Sequence, residues 1–132
     1  MKTFNQFLEE AVKPGFYGSA KTDKATMEVI KEFQTKFKKL GWKYKRQTHS
    51  AVTSYIFTSP TDNNRYVDLG VWLNNNKYGC KGACVLIVYD TFDFHKYTKV
   101  AEWDLGDDDN RTEESQLKAS AEALKWIKAF KE

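Results

Sequence analysis

Two cysteines and two histidines carry the most reactive side chains in this chain, and their spacing limits what they can do. Cys80 and Cys84 bracket a CxxxC, Cys80-Lys81-Gly82-Ala83-Cys84. A thiol redox pair normally uses CxxC at the start of a helix, where the dipole lowers the thiol pKa. This pair opens a strand-like run instead. Zinc takes about four ligands, and His49 and His95 would complete Cys₂His₂, but the intervals match no zinc finger. A Cys–His or Ser–His nucleophile is arithmetically available. No nucleophile elbow, Gly-rich phosphate loop or HExxH helix accompanies it. The four residues therefore read as two unpaired small side chains, a turn histidine and a loop histidine. No catalytic residue, metal ligand or cofactor is expected, and the chain reads as non-enzymatic.

Charge clusters are the stronger candidates for binding. Lys36, Lys38, Lys39, Lys43, Lys45 and Arg46 place six cations within eleven residues, interleaved with Phe37, Trp42 and Tyr44. Such a composition suits phosphate contacts with aromatic stacking. The three helical lysines also have a simpler role at a helix C-terminus, where cations meet the negative end of the dipole. Strand alternation puts Trp42 and Tyr44 on the face opposite Lys43 and Lys45, so these aromatics are expected to face a core. Asp104, Asp107, Asp108, Asp109, Glu113 and Glu114 form an acidic counterpart. Calcium would require the DxDxDG loop spacing, which is absent. Asp107, Asp108 and Asp109 are left as a solvated turn or an acidic docking patch.

The elements that must position these groups follow from periodicity. Asp23 can cap a helix over about 23–40, with Met27, Ile30, Phe33, Phe37 and Leu40 on one face. Gly41 then supplies the left-handed residue that ends it. Strand patterns follow around 42–47, 52–58, 65–73, 83–89 and 99–105, joined by short polar turns. Short connections favour an antiparallel meander. Asn110 with Glu113 fits a capping box for a last helix over about 111–131. Its stripe is Leu117, Ala121, Leu124 and Ile127, widened by Ala123, Trp126 and Phe130. The expected fold is α+β: helix, about five antiparallel strands, helix, with both helices on one sheet face. The core candidates are Met27, Ile30, Phe33, Phe37, Val67, Leu69, Val71, Val85, Ile87, Leu124 and Ile127.

Composition sets the frame. The 132 residues suffice for one core, and 15% aromatics is too many for a disordered chain. No apolar run approaches the roughly 20 residues of a membrane-spanning helix, so no membrane partner is expected. Residues 1–50 hold 11 Lys/Arg against 5 Asp/Glu, while residues 91–132 hold 7 against 10. The front is basic and the rear acidic, a polarity that can steer a partner.

The first residues stand apart. Phe4, Phe7 and Leu8 give a short amphipathic segment, followed by Pro14-Gly15. About ten residues is marginal for a helix alone in water, and the segment lacks the apolar run of a secretion signal. Residues 1–10 thus read as a detachable leader, 11–22 as a linker and 23–132 as one domain. Met-Lys-Thr-Phe-x-x-Phe-Leu-x-Glu, followed by a small residue, resembles the propeptide of internal head proteins of T-even-like tailed phages. In that family a prohead protease cuts after Glu in a Leu-x-Glu pattern. The resemblance implies Leu8, Glu10 and Ala11 as the recognition and cleavage residues, with the cut between Glu10 and Ala11. It further implies packaging in the capsid through the protease and scaffold, injection with DNA, and action in the host cytoplasm on a bacterial protein, including defence nucleases. Nucleic acid, reached through Lys36–Arg46, is the alternative partner.

Overall fold

A helix, five antiparallel strands and a second helix follow one another as the periodicity predicts, in a computed structural model that describes residues 20–49, 52–73, 83–93, 96–104 and 112–131. The elements are α1 (Ala20–Lys39), β1 (Lys43–His49), β2 (Val52–Thr58), β3 (Tyr66–Leu73), β4 (Ala83–Asp93), β5 (Lys96–Asp104) and α2 (Glu113–Ala129). The strands pair in sequence order, β1-β2-β3-β4-β5, as an antiparallel meander. Both helices pack on the sheet and against each other. The leader with Leu8, Glu10 and Ala11, the linker up to residue 19, Cys80, His95 and the Asp107–Asp109 turn lie outside the described residues.

The end of α1 shows why the sequence turns where it does. Gly41 has φ +75°, the left-handed conformation that a side chain resists. Its N–H donates to the Lys38 carbonyl at 3.1 Å, and the Trp42 N–H donates to the Phe37 carbonyl at 3.0 Å. These are the paired bonds of a Schellman cap. The apolar contact that accompanies the motif is Trp42 on Phe37, with ring centroids 4.8 Å apart. Phe37 also stacks on Phe57 of β2 at 4.7 Å and meets the edge of Phe130 at 5.1 Å. The cap therefore feeds the chain directly into the core. Each such ring pair contributes about 0.5–1.5 kcal/mol beyond the area it buries.

The helices sit rotated from the expected stripes. Val29, Ile30, Phe33 and Phe37 are buried on α1, but Met27 is half exposed. Thr22 and Thr26 occupy the buried line instead. The reason is the neighbouring helix: Thr26 Oγ1 accepts a 2.9 Å hydrogen bond from Gln116 Nε2 of α2, and both residues are buried. On α2 the buried line is Gln116, Ala119, Ser120, Ala123 and Ile127. Ala121 is exposed, and Leu124 packs only partly. Small and polar residues let the two helices approach, and a rule that counts large apolar residues passes over them.

Both helix starts also move. α1 begins at Ala20, so Asp23 lies in its first turn, where its charge still suits the dipole. Residues 20–22, at the end of the expected linker, belong to this helix. α2 is capped by Thr112 and Ser115, not by Asn110 and Glu113. Thr112 Oγ1 accepts the Ser115 N–H and Ser115 Oγ accepts the Thr112 N–H, each at 3.0 Å. Ser115 Oγ also accepts from Trp103 Nε1 at 2.8 Å, which fixes the cap against β5.

In β4 the buried apolar residues are Leu86 and Val88, and Ile87 lies on the other face. A run that is apolar on both faces contains no alternation to set parity. The pairing sets it, with Val88 opposite Leu69 and Leu86 opposite Val71. Val67, Leu69 and Val71 are buried as expected. Val85 takes its place in β4 opposite Trp72, and its side chain is not among those described.

Candidate functional site

The helices cover one face of the sheet, and the register defines what stands on the other. Three rows of side chains cross the strands there. The first runs Lys43, Thr58, Tyr66, Thr91, Tyr97. The second runs Lys45, Ile56, Asp68, Tyr89, Lys99. The third runs Gln47, Ser54, Gly70, Ile87, Glu102. Strand alternation puts the residues of β1–β4 on the face opposite Val67, Leu69 and Val88, and a bulge in β5, where the pairing passes from Val88–Ala101 to Tyr89–Lys99, turns Lys99 and Tyr97 to that face as well.

At the β3–β5 side of this face is a recess of about 180 Å³, lined by Tyr66, Asp68, Tyr89, Thr91 and Tyr97. The grid explains it. Thr91 is the small member between two tyrosines, so it leaves a floor with Tyr66 and Tyr97 rising on either side. Tyr89 forms the wall in the next row, its ring perpendicular to Tyr97 with centroids 5.4 Å apart. Tyr97 stands well out into solvent.

Asp68 is the polar group of the recess. Burial pushes its carboxyl above the ordinary range, and a hydrogen bond from the Ser54 side chain opposes that shift. Its Oδ1 is closed off from solvent and has no hydrogen-bond partner among the described residues. Lys99, opposite Tyr89, pairs with Glu102. That partner is the main reason its pKa is raised. The arrangement offers aromatic faces, phenol hydroxyls and one under-satisfied carboxylate. It suits a donor or cation far better than an anion.

The floor is held from the opposite face. Arg65 pairs with Asp90, and its Nη1 also donates to the Thr91 carbonyl at 3.1 Å. Its guanidinium lies over Phe92 at 4.3 Å, Trp42 at 5.4 Å and Phe130 at 5.5 Å. Asp90 is buried on the helix side of β4. Arg65 thus anchors the backbone that carries Thr91.

The six cations of the Lys36–Arg46 cluster do not share one surface. Lys43 and Lys45 stand on the open face at the β1 edge. Arg46 is on the helix side, over the Tyr55 ring at 5.8 Å. Lys36 donates to the Lys128 carbonyl at 3.3 Å, and with Lys39 and Lys128 it lines a groove of about 170 Å³ between the helices. Lys38 borders a separate hollow of about 290 Å³ with Gln34, Trp42 and Tyr44. Trp42 is buried as expected, and Tyr44 stacks on Phe57 at 5.4 Å but remains half exposed because β1 is an edge strand.

His49 ends β1 opposite Val52, so it belongs to a strand rather than a turn, and Cys84 lies in β4. Glu113 and Glu114 occupy the first turn of α2, and Asp104 ends β5. No group of three or more His, Cys, Asp or Glu side chains able to hold a metal occurs among the described residues. Tyr66, Asp68, Tyr89 and Tyr97 were not singled out from the sequence. Their common signal was parity: Tyr66 and Asp68 alternate with the apolar Val67, Leu69 and Val71. Their convergence depends on the β4–β5 register, which parity does not contain.

Comparison with family models, curated proteins and solved structures returns no match.

Proposed function

We propose that this chain is a non-enzymatic phage protein, packaged in the capsid, trimmed between Glu10 and Ala11, and injected to bind a host protein. Blunting of antiphage defence is the role that reading implies. Two lines support it. The leader resembles the propeptide of internal head proteins. The observation that carries the binding part is the open sheet face, where three tyrosines and a partly buried carboxylate surround a recess that no described element covers. Tyrosine is the residue that interfaces favour, since it presents a large rigid surface with a polar tip.

Two measurements test the reading. The mass of the chain in purified virions should begin at Ala11, and a packaged form beginning at Met1 refutes processing. A host protein captured from lysate should be retained by the wild-type chain and by Glu28→Lys on exposed α1, and lost with Tyr66→Ala/Tyr97→Ala. Equal capture by all three removes the open face as the docking surface.

The groove that gathers Lys36, Lys39 and Lys128 favours a second reading, association with DNA. Charge reversal at Lys36 and Lys39 should then flatten the salt dependence of DNA binding. Unchanged affinity dismisses it.

A further inference from the structure

We propose that the tyrosine recess is a receptor for a single guanidinium group, an arginine that the partner protein presents to the open sheet face. This rests on the binding reading above and gives that partner its chemistry.

Four observations converge on a cation that comes from outside. The ring faces of Tyr66, Tyr89 and Tyr97 carry negative quadrupole charge, which attracts cations. Asp68 beside them is half-buried, so its carboxylate attracts a cation more strongly than one in bulk water. The neighbouring cations are already engaged, Lys99 with Glu102 and Arg65 with Asp90 on the other face. Finally, a volume of about 180 Å³ falls below the roughly 300–1,000 Å³ of small-molecule sites, so the recess matches a side-chain head group.

Geometry selects guanidinium over ammonium. Tyr89 and Tyr97 meet at 89°, forming a corner and not a spherical cage. A planar guanidinium can lie flat on one ring while its in-plane N–H groups reach sideways to a carboxylate. It is also less strongly hydrated than an ammonium and so loses less on entering. Tyr97 is the most exposed of the three, so its ring is accessible to an incoming group.

The test is an NMR titration of the full chain with tyrosine rings labelled. The probes are three capped tripeptides, Gly-Arg-Gly, Gly-Lys-Gly and Gly-citrulline-Gly. The arginine peptide should shift the Tyr66, Tyr89 and Tyr97 ring signals to saturation. The lysine peptide should bind more weakly, and citrulline, which keeps the shape and loses the charge, should shift nothing. Tyr97→Leu and Asp68→Asn should each weaken arginine binding roughly tenfold, about the value of one desolvated cation contact. Tyr97 projects into solvent, so its replacement leaves the fold in place, as backbone amide spectra will show. Equal binding of citrulline and arginine, or unchanged affinity in Tyr97→Leu, overturns the proposal. If arginine binds but the open face retains no host protein, this site stands and the host-binding reading falls. If the face retains a host protein and arginine does not bind, this inference alone falls.

Discussion

Replacing Arg65 with methionine should cost far more than an ordinary ion pair would suggest. Arg65 and Asp90 side chains are only 18% and 9% exposed, so the pair works largely out of water. Arg65→Met keeps much of the apolar stem against Trp42, Phe92 and Phe130 and removes the charge. The Asp90 carboxylate then stays buried without its partner, a loss of about 3–5 kcal/mol. Forfeited cation–π contacts with three rings add about 0.5–2 kcal/mol. The sum, roughly 5 kcal/mol, approaches the whole stability of a marginal domain, about 5–15 kcal/mol. Urea denaturation followed by tryptophan fluorescence should show the midpoint falling by about 2 M or more for slopes of about 1–3 kcal/mol per M. The decisive comparison is the double variant Arg65→Met/Asp90→Leu. With no carboxylate left to strand, it should regain most of the lost stability. A double variant no more stable than Arg65→Met, or a single variant within about 1 kcal/mol of wild type, refutes the stranded-charge reasoning.

Two further outcomes follow from local geometry. Gly41→Ala forces a side chain into φ +75° and should destabilise by about 1–2 kcal/mol, whereas Gly70→Ala meets only ordinary contacts of 3.7 Å and beyond and should stabilise slightly; equal shifts in thermal midpoint would contradict the assignment of the α1 cap. Asp68 titrates higher in the fold than its ordinary value of 3.8, so the folded state holds that proton more tightly, and the associated stability is present below 3.8 and lost as pH rises through the raised value. Asp68→Asn should remove this decline, and denaturation curves across that pH range with the wild-type slope retained would refute it.

What the chain reveals before folding depends on the range of the interaction. The Gly41 end of α1 was legible because a Schellman cap is built from six consecutive residues. The strand order was legible because short turns leave a meander as the simplest pairing. Helix rotation was not. Met27 is as apolar as Ile30, and only the fit of Thr26 against Gln116, ninety positions away, decides which of them is buried. The cap of α2 also depends on a residue outside its own segment, since Trp103 of β5, twelve positions earlier, holds Ser115. The recess was hidden further still. Its residues come from three strands, and each is ordinary in its own strand. Only the register sets Thr91 between Tyr66 and Tyr97. The cationic cluster failed in the opposite sense, as residues adjacent in sequence were sent to separate surfaces by the turn at Gly41 and by strand alternation.

The meander makes the order of disassembly as definite as the order of assembly. Each strand is bonded to its sequence neighbours, and among the described residues β1 and β5 each have one free edge. Tension applied at α1 first parts the helix pair, held by contacts such as Thr26 to Gln116 and Lys36 to Lys128. It then reaches β1, whose bonds to β2 can break one after another. Each strand peeled away exposes the next as a new edge. No central strand has to be pulled out from between two intact partners. Neighbour-to-neighbour pairing also keeps the contacts of the sheet close in sequence, the condition under which a β fold assembles fastest.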